Sequence, residues 1–308
     1  MNRLKQLITN PRLRSWFVAI ILIVTVVVFI RFFKQHPAYF TALRHVKLWQ
    51  VLAILGLNAG VLLSLVAVYN FTLELCGKRI SFKEQFLLTS YSSIANFFGP
   101  LQSGPGVRTV YLKTKHNVKM RDYLLATLIY YAMFAMISML FLVGGSRPWW
   151  QALLSLLAVA LVCLGVIRLF MDRSKKKGGN IKLDFSRRTL FGLLLSTFAQ
   201  VCFVTGYYFV ELVAVKSHAS LHQAVIYSGA ANFAIFVSLT PDAIGFRESF
   251  LVISKRLHHI STPVIFAANL IDRAVYALFL GILFLLVLAL HAKDKLGIGQ
   301  STDGVETN

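Results

Sequence analysis

The chain has 308 residues, is 57% hydrophobic and has a mean hydropathy of +0.67, well outside soluble domains, which run near half apolar and a quarter charged. Its net charge is +20, from 32 Lys and Arg against 12 Asp and Glu. Most of these cations sit in short loops beside apolar runs, as the positive-inside rule places them, so they orient a membrane protein and attract anionic headgroups rather than nucleic acid.

In chain order, Arg3, Lys5, Arg12 and Arg14 precede an apolar run over 16–33 with no small-residue cleavage site after it. This predicts a retained first span. Runs over 48–73, 122–144, 148–171, 189–215 and 263–291 also reach the roughly 20 residues that cross a bilayer. Two shorter runs, 84–99 and 222–240, end in polar inserts rich in Gly and Pro. The expected fold is therefore an all-α polytopic membrane helical bundle of about six spans plus two re-entrant or broken helices. It forms a single membrane domain over 1–308, with a cytosolic connector at 172–188 and a disordered tail at 292–308. Cys76, Cys163 and Cys202 lie singly in apolar segments and are expected as buried small residues, with no disulfide or metal.

Segments 81–116 and 220–259 share an order of features. Each opens on Ser, passes through Ala-Asn-Phe (95–97, 231–233), reaches a Pro (Pro100, Pro241), then a Gly-x-Arg (Gly106 and Arg108, Gly245 and Arg247). A short basic piece and a long apolar helix follow. The repeats are placed at about 81–144 and 220–291. If both short segments return to the face they left, 22 of the 32 Lys and Arg fall inside, 9 outside and Arg273 within a span. Both termini are then cytoplasmic and the repeats inverted, an arrangement of alternating-access transporters. A full crossing by 222–240 would move only three cations inward, and charge alone leaves it open.

In the inserts, a Gly permits positive φ and the Arg fork matches a phosphate. Arg108 and Arg247 are thus candidate phosphate ligands, with Gly106 and Gly245 letting the backbone approach. The competing reading pairs Arg247 with Glu248 or Asp242 to close a loop. Arg273 lies about ten residues into the last apolar run, where an Arg costs about 2.5–3.5 kcal/mol, so it should face the interior and a partner. Asp272 points away from it around the helix, which leaves Asp242, Glu248 or an anionic ligand as partners. Arg247 is expected to point toward Arg273 with an anion site between them. Glu248, Asp242 and Asp272 are candidates for charge balance or proton coupling, and Glu211 either binds a proton or reaches the interface. Glu74 is expected to pair with Lys78. Asn58, Asn70, Asn96, Asn232 and Asn269 suit interhelical hydrogen bonds, and Trp49, Trp149 and Trp150 suit interfacial anchoring. His218 and His222 are spaced like a metal pair, but Ser220 between them looks like a helix start, so no metal is assigned.

TPDAIGFRES, followed downstream by IDRAVYALFLGIL, resembles the "Pro-Gly-x-x-Gly-x-Arg-Glu" region and intramembrane Arg of the lysylphosphatidylglycerol synthase transmembrane-region family, the flippase-like domain family. NFFGPLQSGPGVRTVYLKTKHNV resembles that family's first-half region more loosely. The resemblance covers about residues 10–290. It implies a polytopic membrane protein of the bacterial or archaeal cytoplasmic membrane that moves a phosphate-bearing lipid between leaflets: a phospholipid, an aminoacylated lipid, or an isoprenoid or glycosylated one. By matching position it carries over Gly245, Arg247, Glu248 and Arg273, and Pro100, Gly106 and Arg108. Two positions depart from the pattern: Tyr130 and Tyr131 stand where the family usually has Glu-Arg, and Asp242 and Ala243 where it has Gly-Gly.

The expected function is a lipid flippase-like transporter whose midplane cavity is lined by Arg247, Arg273 and Arg108, needing no cofactor. Membrane lipids, anionic or phosphate-bearing, are its expected partners. With no nucleophile elbow, nucleotide loop, HExxH or paired acidic motif, the chain is not expected to be an enzyme. It ends 17 residues past His291, so the aminoacyl-transfer domain of bifunctional relatives is expected to be absent. The alternative is a non-transporting membrane partner of a glycosyltransferase or lipid-modifying enzyme; an embedded transferase is a third possibility.

Overall fold

A computed structural model describes residues 31, 34, 46–98, 103–144, 149–176, 183–216, 219–237 and 246–295. Apart from residue 31, the expected first span at 16–33 lies outside them, as do Pro100, Asp242, Gly245 and His218. Among the described residues there are ten helices and no strand: α1 (Leu48–Leu75), α2 (Phe82–Phe98), α3 (Gly104–His116), α4 (Met120–Val143), α5 (Trp149–Lys176), α6 (Arg187–Val215), α7 (Leu221–Val237), α8 (Phe246–Ile253), α9 (Lys255–His258) and α10 (Thr262–Lys295). Five of these, α1, α4, α5, α6 and α10, contain segments long and apolar enough to cross a membrane. At 17 residues, α2 and α7 reach about 25 Å, short of the roughly 30 Å of hydrocarbon.

Local chemistry sets several boundaries. α1 ends where Gly77 takes φ 66°, a left-handed turn that glycine enters without steric cost. That turn moves the expected Glu74 partner: Arg79 Nε, not Lys78, reaches Glu74 Oε1, at 3.2 Å. α6 begins at Ser186, whose Oγ accepts from the Thr189 N–H at 3.1 Å, a side-chain cap for an otherwise orphan donor. α3 and α9 both close on a left-handed residue, Asn117 at φ 51° and His259 at φ 54°, and each is followed three residues later by the start of a long span. α5 continues to Lys176 and α10 to Lys295, shortening the expected connector and tail.

The centre of the bundle is the pair α1 and α6. A Cβ on Gly206 would lie 3.1 Å from Leu57, one on Gly60 would lie 2.7 Å from the Phe203 ring, and one on Gly192 would overlap the Phe71 ring. Numbers rise along one helix as they fall along the other, so the pair is antiparallel. Glycines opposite aromatic rings let the backbones approach closely, and van der Waals contact is what holds helices together in lipid.

The remaining helices pack in matched fashion around this pair. α2 and α4 lie on α1 as α7 and α10 lie on α6. α2 also reaches α10, and α7 reaches α4, so each short helix is sandwiched between its own half and the long helix of the other. α5 packs mainly on α4, with just 6% of its apolar window buried, leaving an apolar surface suited to lipid. The cysteines are free; Cys76 and Cys163 are half-buried and Cys202 is exposed, so none is the buried residue expected of it. Cys202 sits on α6, where exposed Phe191, Leu194, Leu195 and Phe198 mark a face turned away from the core. Trp49 and Trp150 are exposed near helix ends.

Candidate functional site

Arg247 is the second residue of α8 and is only 3% exposed. A cation in the first turn opposes the helix dipole, and its position is stabilised from across the bundle. Asp272 Oδ2 on α10 lies 2.6 Å from Arg247 Nη1, and the same nitrogen donates to the Tyr208 hydroxyl on α6 at 3.3 Å. The next residue, Glu248, pairs with Arg273 on α10. Successive helical residues point about 100° apart. An Arg-Glu step on α8 facing an Asp-Arg step on α10 therefore gives two ion pairs of opposite polarity pointing in different directions.

The two pairs border different spaces. Arg247 and Asp272 line a cavity of about 260 Å³ together with Tyr69, Asn96, Tyr130, Gln200 and Asn232. Glu248 and Arg273 line a groove of about 720 Å³ whose other walls include Val252, Ile253, Phe266 and Leu270. Of these, Ile253 is 77% and Phe266 54% exposed, so the groove is open and apolar. One doubled ion pair thus stands between an interior cavity that carries amide, phenol and charged side chains among apolar ones and an open, apolar face. In place of the expected anion site shared by Arg247 and Arg273, each guanidinium meets its own carboxylate, Asp272 for Arg247 and Glu248, one of the expected partners, for Arg273. Asp272 indeed pairs away from Arg273, as helical geometry requires.

The first half repeats the frame with different chemistry. Arg108, 3% exposed, stacks 3.6 Å above the centroid of the Tyr69 ring and donates from Nη1 to Ser92 Oγ at 2.9 Å. Arg108 follows Tyr69 by 39 residues, as Arg247 follows Tyr208. Tyr130 and Tyr131 are the eleventh and twelfth residues of α4, as Asp272 and Arg273 are of α10. Where the second half supplies an acid and a base, the first supplies two phenols. Among the described residues no carboxylate lies within 4.0 Å of the Arg108 guanidinium, and its Nε has no hydrogen-bond partner. The ring face of Tyr69 and the Ser92 hydroxyl compensate the charge in part.

Gly106 does not act as expected. It lies inside α3, with open space around it and no positive φ, because Pro105 at the helix start favours helical geometry from there onward. The tight approach falls to Gly104: a Cβ there would lie 2.6 Å from the Ser92 carbonyl oxygen. With Ser103 Oγ donating to Ala95 O at 2.6 Å, it folds α3 back on α2 and delivers Arg108 to Ser92.

Glu211, on α6, is fully buried, and neither of its carboxylate oxygens has a hydrogen-bond partner; it does not reach an interface. Asn269 Nδ2 donates to the Tyr227 hydroxyl at 3.3 Å, an interhelical bond, whereas Asn58 and Asn70 bond within their own helix. Asn96 Oδ1 and Asn232 Nδ2 have no partner, and both residues line the cavity.

At the other end of the α2–α3 hairpin, Glu84 Oε1 accepts from Tyr111 Oη at 2.5 Å and Lys115 Nζ at 2.7 Å, with His116 Nε2 at 2.8 Å. Burial works to raise this carboxyl, but the hydrogen bonds from Lys115, Tyr111 and His116 outweigh it and hold it down at about 2. Sequence reasoning missed Glu84, Tyr69, Tyr208 and Ser92. The matched Tyr-to-Arg spacing in the two halves is the signal that finds the tyrosines; Glu84 and Ser92 have none.

The family described as the lysylphosphatidylglycerol synthase TM region matches residues 16–283. The chain belongs to this family. No curated protein matches it. Membership and five apolar helices make it an integral membrane protein of a lipid-related family, one that meets membrane lipids. Arg108, Arg247, Glu248, Asp272 and Arg273 all fall within the matched region.

Proposed function

We propose that this member of the lysylphosphatidylglycerol synthase TM-region family is a lipid flippase-like transporter of the cytoplasmic membrane, with both termini cytoplasmic and its two halves related as inverted repeats. Its substrate is a phosphate-bearing amphiphile: a phospholipid, an aminoacylated lipid, or an isoprenoid-linked or glycosylated lipid. The reading is transport rather than catalysis. The observation that carries it is the pairing of a cavity lined by Arg247 and Asp272 with an open apolar groove lined by Arg273 and Glu248, across one doubled ion pair. A lipid has those two needs, a polar site for its headgroup and an apolar surface for its chains.

In this reading a phosphate competes with Asp272 and Glu248 for the guanidinium forks, since both anions offer the same bidentate geometry. Capture of the phosphate frees the carboxylates, loosens α8 from α10 and joins cavity to groove. Arg108, which lacks a carboxylate partner among the described residues, adds positive potential behind the tyrosine wall. In a low-dielectric interior such a charge draws a diffusible anion.

Dithionite quenching of fluorescent lipids in proteoliposomes tests the reading. Wild type should expose the inner-leaflet label faster than empty liposomes, and Arg247→Ala with Arg273→Ala should not. A second variant, Arg247→Gln with Asp272→Asn, removes both charges of one pair together and so avoids an orphan charge that could unfold the protein. Equal rates in wild type and both variants would contradict the proposal.

A further inference from the structure

We infer that Glu211, together with Asp272, forms a buried proton-binding site that sets the strength of the Arg247–Asp272 ion pair. Glu211 is 0% exposed, and both its oxygens lack a hydrogen-bond donor. Its charged neighbours are Asp272 on α10, within hydrogen-bonding reach, and Arg247 on α8. From its own helix Tyr207 and Tyr208 share its face three and four residues away, and Tyr227 comes from α7 with its ring 5.2 Å from that of Tyr208. His258 on α9 stands behind Tyr227, with ring centroids 5.5 Å apart. Glu248 and Arg273 complete the charged groups of α8 and α10 here and pair with each other.

Arg247 with Asp272, and Arg273 with Glu248, already balance. An ionised Glu211 would add a third carboxylate to two guanidinium groups, with no donor on either oxygen. Buried carboxyls in that position neutralise rather than stay charged, and two carboxyls in contact share one proton. Protonated Glu211 becomes a donor to Asp272, which keeps its own bond to Arg247, so the triad carries no net charge. Loss of the proton places two carboxylates side by side, and their repulsion works against the Asp272–Arg247 bond. One proton thus holds α6, α8 and α10 together at the cavity wall. The site does not depend on what the protein moves.

Infrared difference spectroscopy of the full chain in lipid bilayers, between neutral and alkaline buffer, tests this without a transport readout. At neutral pH the wild type should show the C=O stretch of a buried protonated carboxylic acid. Glu211→Gln, which copies the shape of the protonated side chain, should abolish it with an unchanged helical amide band. Asp272→Asn should weaken or shift it, because Glu211 is then the carboxyl left beside Arg247 and can ionise against it, and Glu74→Gln should leave it in place. Absence of an acid band in the wild type would overturn the inference whatever the variants do. So would an undiminished band in Glu211→Gln, or one indifferent to Asp272→Asn.

Discussion

Arg247 and Asp272 meet at 2.6 Å across α8 and α10 with side chains 3% and 7% exposed. Breaking such a pair from one side leaves a buried charge without its partner. Asp272→Ala should destabilise the protein by about 3–5 kcal/mol, and joint replacement of Arg247 by Met and Asp272 by Leu should recover most of the loss. Reversible unfolding in mixed detergent micelles reads both. Additive losses in the double variant would mean that the two residues do not act as a pair.

Arg108 and Tyr69 make a different contact, a guanidinium stacked on a ring. A double-mutant cycle between Arg108→Gln and Tyr69→Leu should give a coupling of about 1–2 kcal/mol. Arg108→Lys should lose much of it, because an ammonium cannot both stack flat on the ring and reach Ser92. Unfolding midpoints of the four proteins in one detergent provide the number; coupling near zero would place the ring there for packing alone.

Both of these contacts belong to a pattern that is partly legible in the sequence. The Gly-x-Arg inserts, Arg273 and the positions of the long apolar helices follow from polarity breaking long apolar runs, so hydropathy exposes them, whereas the polar ends of α5 and α10 run on past the apolar stretch. The assignment of Asp272 to Arg247 is not legible, because it depends on how α8 is rotated against α10. Gly106 misleads for a related reason: a glycine signals freedom, and the neighbouring Pro105 has already set the backbone. The central pairing of α1 with α6 rests on Gly60, Gly192 and Gly206 facing Phe203, Phe71 and Leu57, which no spacing within one helix reveals.

Glu84 gives a prediction in pH. Its carboxyl is lowered from 4.5 to about 2, so its contribution to stability is present above about pH 4.5 and is lost as pH falls through about 2. Thermal unfolding of wild type and Glu84→Gln should differ most above pH 4.5 and converge on acidification. The gap should be modest, since Glu84 is near the surface and screened. A gap that widens toward acid would contradict the assignment.

Gly229 and Gly60 separate two kinds of close packing. A Cβ at Gly229 would overlap the Leu142 backbone nitrogen, whereas the atoms nearest one at Gly60 belong to the Phe203 ring. A ring can rotate and a helix backbone cannot, so Gly229→Ala should lower stability by more than Gly60→Ala, by about 1–3 kcal/mol. Parallel unfolding curves compare them directly, and equal losses would contradict the argument.

In the proposed transport cycle, α8 parts from α10 at the doubled ion pair as a lipid passes. In a chain whose three native cysteines are replaced, Ser249→Cys on α8 and Phe266→Cys on α10, which line the same groove and leave both ion pairs intact, can be joined by a bifunctional thiol reagent, and lipid movement measured by dithionite quenching before and after. The joined protein should stop moving labelled lipid while the same protein treated with a monofunctional reagent continues. Undiminished movement in protein shown to be fully joined would contradict it.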